Sequence, residues 1–288
     1  MRRRAAEMRV LITGSSGFIG RALAENMAVE HEVVCLSRQP TAVDGVEKIA
    51  GSFTDPAVLA RLDGWDFDAL VHLAALTGAG SEADLMAVNV LGSYTLLRYM
   101  ADRGCGKLVL ASSIAAVGMQ SPLFRPLELP MSDEHPCLDR DGYGFSKYMM
   151  EETARYLSRQ NTALDIINIR LSSVWPEDRE PVLRQPGPVG QWGMGAISCM
   201  YLSDAVRCFR LAAESRHKPG VRIMNATGQQ ACVEGTVPEM MRAWYGKEAE
   251  RIDLSHYERR GHERDAVYSI GLIERELSFV PLRSVVPE

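Results

Sequence analysis

The first half of the chain alternates short, β-branched apolar runs with longer amphipathic stretches, and this order constrains the fold more than any other feature. The runs with strand composition lie at 9–13, 32–37, 47–50, 69–74, 107–111 and 164–170. Stretches with helical length and spacing separate them at 17–28, 55–62, 82–102 and 142–159. Strands that alternate with helices form a parallel sheet covered by crossover helices. The sequence therefore predicts an α/β fold with a doubly wound parallel sheet.

The second half is less regular than the first. Residues 172–198 are rich in proline, glycine and tryptophan, and a strand-helix unit at 199–213 and a short strand at 221–225 follow. We predict a nucleotide-binding domain at 8–171 and a small substrate lobe at 172–288, of which the part near 199–225 returns to the sheet. The first seven residues are expected to form a disordered lead-in.

A glycine-rich turn, T-G-S-S-G-F-I-G at 13–20, directly follows the first predicted strand and leads into a helix. Glycines at 14, 17 and 20 allow a tight turn, a close approach of the backbone to a pyrophosphate and close packing of helix on strand. The helix N-terminus adds amide donors. A turn without a ligand is the alternative, but its place in the chain favours a dinucleotide. The predicted cofactor residues here are Gly14, Ser16, Gly17, Phe18, Ile19 and Gly20.

The end of the second strand indicates which dinucleotide is preferred. An acidic residue at this point binds the ribose hydroxyls of NAD, whereas an arginine accommodates the 2′-phosphate of NADP. The strand ends Leu36-Ser37-Arg38, without an acid. The guanidinium of Arg38 suits a phosphate, so NADP is predicted over NAD; a solvated surface arginine is the alternative.

Tyr143 and Lys147 are predicted one turn apart on the same face of the helix at 142–159. A tyrosine hydroxyl has a pKa near 10, and a neighbouring ammonium is expected to lower that pKa by stabilising the phenolate. A serine hydroxyl beside them would polarise a substrate carbonyl. An exposed helical pair without chemistry is the alternative reading.

Five motifs in order resemble the extended short-chain dehydrogenase/reductase family, which includes the NAD-dependent epimerase/dehydratase group. They are T-G-S-S-G-F-I-G at 13–20, V-H-L-A-A at 71–75, N-V-L-G at 89–92, A-S-S at 111–113 and Y-G-F-S-K at 143–147. The resemblance runs from about residue 8 to 210 and implies a Rossmann-type fold. It implies that Tyr143 is the acid/base, that Lys147 holds the nicotinamide ribose and tunes Tyr143, and that Ser113, rather than Ser112, binds the reacting oxygen.

The same resemblance extends the set of expected ligand contacts. The expected cofactor residues are Ser52, Phe53, Leu73, Ala74, Ala75 and Asn89, together with Tyr143 and Lys147. Ordinary strand-end packing is the alternative for those at 73–75 and 89. The expected substrate residues are Thr77, Ser113 and Ser173.

Two departures from the family pattern bear on the reaction. Ile114 and Ala115 stand where the family's dehydratases carry Asp-Glu, which disfavours 4,6-dehydration because neither side chain transfers a proton. R-L-S-S-V-W-P at 170–176 replaces R-x-x-N-V-Y-G-P, so Ser173 stands in place of asparagine.

We expect an oxidoreductase acting on a carbonyl or alcohol of a sugar, sugar acid or nucleotide sugar. An epimerase with tightly held NAD and a catalytically silent cofactor-sensing protein are the alternatives.

Composition excludes several other classes. A net charge of -5 does not favour binding to the negatively charged backbone of a nucleic acid. The sequence contains no apolar run of the length that crosses a membrane. The six cysteines show no C-x-x-C pairing, so we expect buried thiols, folding without disulfides and a cytoplasmic location. No metal site is expected. His72 is expected to lie at a strand end with the hydrogen-bonding groups of its side chain satisfied. The expected partners are a small-molecule substrate and, through the family's helical interface, a second copy in a homodimer.

Overall fold

A computed structural model describes residues 8–78, 80–190 and 192–284, so the predicted lead-in at 1–7 lies outside the described residues. Seven strands form one sheet in the order β3-β2-β1-β4-β5-β6-β9, and β7 and β8 form a separate parallel pair. The strands are β1 Arg9–Thr13, β2 Glu32–Ser37, β3 Glu47–Ala50, β4 Ala69–His72, β5 Lys107–Ser113, β6 Asp165–Leu171, β7 Ser173–Trp175, β8 Cys199–Tyr201 and β9 Gly220–Ala226.

The first strand lies at the point where the strand order reverses. It pairs in parallel with both β2 and β4, with Thr13 opposite Leu36 on one side and His72 on the other. The pairs β2·β3 and β4·β5 are parallel as well. In a sheet of this kind the loops after the central strands diverge and leave a crevice at their carboxyl ends. The predicted doubly wound sheet is confirmed.

Helices cover the sheet and fill the second half of the chain. They are α1 Phe18–Met27, α2 Pro56–Leu59, α3 Glu82–Leu85, α4 Ser93–Asp102, α5 Gly142–Gln160, α6 Gly193–Ala196, α7 Leu202–Glu214, α8 Val237–Tyr245 and α9 Gly271–Leu277. The predicted helix at 82–102 has the expected length, but Met86–Gly92 within it is a π-helix. Such segments are rare and frequently lie at functional sites.

The chain divides into two compact units. Unit 1 comprises the described residues up to Ser112 with Met149–Ile169 and Val206–Ile223. Its core packs β1, β2, β4 and β5 against apolar residues of α4 and α5, including Leu97 and Ala154. Burial of such side chains is the main favourable term in folding.

Unit 2 comprises Ser113–Tyr148, Arg170–Ala205 and the described residues from Met224 onward. Its core joins the segment after β5 to α8 and to the chain near Tyr268, with Ile114, Met131 and Met240 fully buried. Residues 113–148, predicted as part of the nucleotide-binding domain, thus cluster with the second unit. Within unit 2, β8 pairs with β7 instead of joining the large sheet, which β9 joins.

The expectation that the chain folds without disulfides is wrong. Cys199 and Cys232 form a disulfide, while Cys35, Cys105, Cys137 and Cys208 are free thiols. Backbone hydrogen bonds from Cys232 N to Ile197 O (2.9 Å) and from Gly228 N to Cys199 O (2.8 Å) lay the 228–233 segment beside β8. Because this pairing is tertiary, the sequence spacing of the cysteines does not reveal it.

Among the described residues, no helix combines the length and the apolar character that a membrane-spanning helix needs.

Candidate functional site

The turn after β1 builds the first half of the site, in unit 1. Gly14 has φ +73°, donates its amide to Leu36 O (2.9 Å) and accepts from Gly17 N (2.9 Å). Gly17 is the N-cap of α1 in an extended conformation. Glycine offers no side chain to cap the first-turn amides, so these donors and the positive end of the helix face an anionic ligand.

Close contacts explain why glycine stands at each of the three positions. A Cβ on Gly14 would lie 2.7 Å from Ala74 N, and one on Gly17 would lie 3.1 Å from Gly14 O. A Cβ on Gly20 would overlap Gly14 O. The helix, the turn and the strand neighbour therefore approach each other more closely than any other residue permits, which is the geometry expected of a pyrophosphate cradle.

A cavity of about 250 Å³ opens beside this turn. The predicted cofactor residues that line it are Gly14, Ser16, Gly17, Arg38, Ser52, Phe53, Leu73, Ala74 and Ala75. Leu36, Ser37, Gly51, Leu76 and Val88 line it as well and were not predicted. Leu36 and Ser37 end β2, so the rule that ligands bind beyond the carboxyl ends of strands could have identified them. The residues present fit an NAD(P) nucleotide, because the cradle, the apolar walls and an arginine surround one space.

The other predicted cofactor residues of unit 1 have different surroundings. Phe18 and Ile19 begin α1, and the phenyl ring of Phe18 is half exposed. Asn89 is buried in the π-helix, where its Oδ1 accepts from Leu76 N (2.7 Å) and its Nδ2 donates to Leu76 O (2.9 Å). Since Leu76 lines the cavity, Asn89 fixes the backbone of the cavity wall.

His72 fixes the backbone at the end of β4. Its Nδ1 lies 2.7 Å from Thr13 Oγ1, and its Nε2 lies 2.9 Å from Ser93 Oγ. Thr13 Oγ1 also accepts from Ala74 N (3.3 Å). Both ring nitrogens are thus bonded, as expected for a satisfied strand-end residue.

Arg38 is exposed at the end of β2 and lines the cavity. The preceding residue is held in place, since Ser37 Oγ accepts from Ser15 Oγ (3.2 Å) and donates to Gln39 O (2.5 Å). The guanidinium of Arg38 is the cation that the predicted 2′-phosphate requires.

Ser113, Tyr143 and Lys147 come together in unit 2. The hydroxyl of Ser113 lies close enough to the phenol of Tyr143 to lower its pKa, and Ser113 Oγ accepts from Ala115 N (3.1 Å). Lys147 is buried, with its Nζ 5.7 Å from the centre of the Tyr143 ring. Ser112 is engaged elsewhere, since its hydroxyl donates to the buried carboxylate of Glu151 at 2.6 Å.

The pKa of Tyr143 differs from the expectation of a lowered value. The pKa of this phenol is raised to about 12, chiefly by burial; the nearby hydroxyl of Ser113 lowers the pKa, and the negative charge of Asp141 raises it. Desolvation disfavours the phenolate more than the neighbouring hydroxyl stabilises it. In this structure the phenol is therefore protonated at neutral pH and is ready to donate a proton.

The remaining predicted substrate residues are exposed. Thr77 lies after β4 in unit 1. Ser173 begins β7 in unit 2, where its amide donates to Ser198 O (3.2 Å) and its hydroxyl to Gly195 O (3.3 Å).

A cluster of possible metal ligands was not anticipated from the sequence. His256 Nε2 and His262 Nδ1 each lie 2.8 Å from Asp265 Oδ2. The guanidinium of Arg259 lies against the other ring nitrogen of His256. Because a guanidinium only donates, that nitrogen is the acceptor and Nε2 carries the proton toward Asp265. We therefore interpret the cluster as a network of hydrogen bonds.

Comparisons with known proteins agree with this geometry. Residues 10–182 match the family model described as "NAD dependent epimerase/dehydratase family". A UDP-glucose 4-epimerase of Cyamopsis tetragonoloba is 28% identical over 182 residues, which cover 56% of this chain and 50% of that protein. A 2-alkyl-3-oxoalkanoate reductase of Stenotrophomonas maltophilia is 28% identical over 224 residues, which cover 72% of this chain and 66% of that protein. The chain thus spans about half the length of the first of these relatives.

Solved structures share the fold. The Bordetella bronchiseptica enzyme WbmG, in complex with NAD, superposes with a TM-score of 0.70 at 20% identity over 99% of this chain and 92% of that one. At this identity the likeness concerns the fold.

Proposed function

Because the chain belongs to the NAD-dependent epimerase/dehydratase family, we propose that it is an NAD(P)-dependent oxidoreductase. It transfers a hydride to or from the carbonyl or alcohol carbon of a carbohydrate-like substrate, either a sugar, a sugar acid or a nucleotide sugar. The observation that carries this proposal is that Ser113 and the ammonium of Lys147 lie beside the phenol of Tyr143, with Lys147 Nζ 5.7 Å from the centre of the ring. Unit 1 contributes the nucleotide cradle.

The roles of the three side chains follow from their chemistry. When bound, the nicotinamide supplies or accepts the hydride. Tyr143 donates a proton to the carbonyl oxygen during reduction, and its high pKa keeps the phenol protonated for this step at neutral pH. Ser113 donates a hydrogen bond to the same oxygen, and Lys147 stabilises the phenolate that remains.

Within this proposal NADP is the preferred cofactor. Replacing Arg38 with glutamine should weaken NADPH binding about tenfold or more and leave NADH binding unchanged, because a charge-assisted hydrogen bond to phosphate contributes about 1.5–3 kcal/mol. Titration calorimetry of both nucleotides measures this selectivity. Arg21→Gln is the matched control, since Arg21 is an exposed arginine on α1. Equal affinities of the Arg38 variant and the parent for NADPH would reject the preference.

A panel of substrates tests the reaction itself. Sugars, sugar acids and nucleotide sugars are incubated with NADP⁺ or NAD⁺, and the formation of reduced nicotinamide is followed by absorbance. Because one relative is a 2-alkyl-3-oxoalkanoate reductase, a 2-alkyl-3-oxo acid with NADPH belongs in the panel. Oxidation or reduction of a carbohydrate supports the proposal, whereas turnover of the oxo acid alone would replace its substrate class.

Epimerisation is the second candidate, favoured by the similarity to UDP-glucose 4-epimerases. An epimerase returns the hydride to the same substrate, so it interconverts two sugar isomers without net formation of reduced nicotinamide. Chromatography of the panel products distinguishes it from the first candidate.

We propose further that the protein is a homodimer and that its location is cytoplasmic. An apolar surface on unit 1 supports the dimer; it is formed by Met86, Ala87, Val90, Leu91, Tyr94 and Thr153. Leu91 is 63% exposed there, an unusual surface for a large apolar side chain unless a partner covers it.

Leu91→Lys should convert the dimer to a monomer, because a charge buried in an apolar interface is costly. Light scattering after size-exclusion chromatography gives the mass. Val29→Lys, at a position 79% exposed in the same unit, should leave the dimer intact. A monomeric parent protein would rule out the interface.

A further inference from the structure

Two aspartates stand directly before the predicted catalytic helix, in unit 2. Asp141 accepts through its Oδ1 from Tyr143 N at 2.9 Å and from Gly144 N at 3.0 Å. These are first-turn amides that lack partners within the helix, so Asp141 acts as the cap of α5. The position of the Tyr143 backbone therefore depends on this carboxylate.

Asp139 packs against the same turn. Its Oδ1 accepts from Arg140 N at 2.8 Å, and its carboxyl group lies close enough to that of Asp141 for the two to influence each other's charge. A Cβ on Gly144 would overlap Asp139 Oδ2. The glycine thus allows the carboxyl group to lie against the first turn of α5.

The two remaining oxygens of the pair are buried together. Asp139 Oδ2 and Asp141 Oδ2 are both inaccessible to solvent, and neither accepts a hydrogen bond from a donor in the described part of the chain. Two ionised carboxylates cannot hydrogen-bond to one another, since each only accepts. A proton on one of the two carboxyl groups would give a buried oxygen a donor and would remove the repulsion between two adjacent negative charges.

We propose that Asp139 and Asp141 share one proton and that this carboxyl pair holds the first turn of the catalytic helix, which makes Asp139 a positioning residue for Tyr143. The assignment to catalysis rests on the proposed function, whereas the shared proton does not. Asp139 is the member that carries the proton, because Asp141 needs its charge to bind the helix amides.

The electrostatics of the surroundings agree with a single shared proton. Burial, which has the largest effect, and the neighbouring carboxyl group of Asp141 together raise the pKa of Asp139 to about 8. The groups that face the pair are Tyr143 on α5 and the fully buried Tyr268, and the carboxylates raise the pKa of each phenol. Loss of the proton would place two adjacent negative charges beside the catalytic phenol and oppose formation of its phenolate.

The shared proton is tested first by carbon-13 NMR of the aspartate carboxyl groups in the whole protein. We expect the Asp139 signal to titrate near pH 8. In Asp141→Asn that midpoint should fall clearly below the parent value but stay above the ordinary one, because the neighbouring charge is gone while the burial of Asp139 remains. Asp102→Asn, on the exposed end of α4, should leave the Asp139 midpoint unchanged. An ordinary Asp139 midpoint in the parent protein would overturn the pair.

The positioning role of Asp139 is tested by the pH dependence of the amide signals in the first turn of α5 and by the pH dependence of turnover. In the parent protein the amide signals of Tyr143 and Gly144 should shift at the pH at which Asp139 titrates. Carbonyl reduction should fall about tenfold one pH unit above that midpoint, because only about a tenth of the Asp139 carboxyl groups are then still protonated. Asp139→Asn should keep neutral-pH turnover and lose both effects, since its amide donates permanently. Amide signals or turnover that keep the parent's pH dependence in Asp139→Asn would overturn the positioning role. A protein that turns over no substrate but shows both NMR midpoints would reject the proposed function and leave the pair intact.

Discussion

Replacing Tyr143 with phenylalanine should reduce turnover by about 10²–10⁴-fold, the contribution that a positioned acid or base makes to catalysis. The ring and its packing against the core of unit 2 remain, but the proton that the phenol donates is lost. Nucleotide affinity should stay within about twofold, because the cradle of unit 1 is unchanged.

The control for this variant is Tyr156→Phe. Tyr156 is on the same helix and 42% exposed, and its hydroxyl accepts only from Gln160 Nε2 in the described part of the structure. It should keep parental turnover. Full turnover of Tyr143→Phe would contradict the catalytic assignment. A parent protein that binds nucleotide but turns over no substrate of the panel would instead favour the cofactor-sensing alternative.

Gly14→Ala should be a severely damaging change in unit 1. A residue with a Cβ pays about 1–2 kcal/mol for a left-handed conformation, and Gly14 has φ +73°. The new Cβ would also lie 2.7 Å from the backbone nitrogen of Ala74, and overpacking of this kind costs about 1–3 kcal/mol more. We expect a lower free energy of unfolding and at least tenfold weaker nucleotide binding, since the cradle must widen.

Gly45→Ala separates the effect of the left-handed backbone conformation from the effect of the close contact with Ala74. Gly45 has the same φ of +73°, but a Cβ there meets nothing within 4 Å. This variant should lose stability through its backbone conformation alone and bind nucleotide normally. Denaturant unfolding and calorimetric titration of both variants measure the difference. Equal losses of stability with unimpaired binding in Gly14→Ala would show that the close approach to Ala74 has no role in binding.

The sheet could be predicted from local patterns because each strand is short, apolar and bounded by a polar turn. The bounds of β1, β2 and β3 agree with the prediction to the residue. β4 ends at His72, two residues early, because its partner strand β1 ends at Thr13, the residue opposite His72. β5 continues through Ser112 and Ser113, two polar residues beyond the predicted end of the strand at residue 111.

The site was predictable where one motif contains all its contacts. The glycine turn and the spacing of Tyr143 and Lys147 are of this kind. The shared carboxyl pair and the Cys199–Cys232 disulfide are not, because tertiary packing decides which atoms meet. The pKa of Tyr143 illustrates the same limit, since helical spacing indicates a neighbouring ammonium but not the burial that outweighs it.

The central claim is that unit 1 binds an exchangeable dinucleotide, and the most direct measurement is the nucleotide content and affinity of the purified protein. The protein is denatured, any released nucleotide is identified by mass spectrometry, and protein freed of nucleotide is titrated with NADPH and NADH. We expect an empty or readily emptied site that binds one equivalent of NADPH more tightly than NADH. Release of stoichiometric NAD would support the epimerase instead, and binding of neither nucleotide would show that unit 1 is not a dinucleotide site.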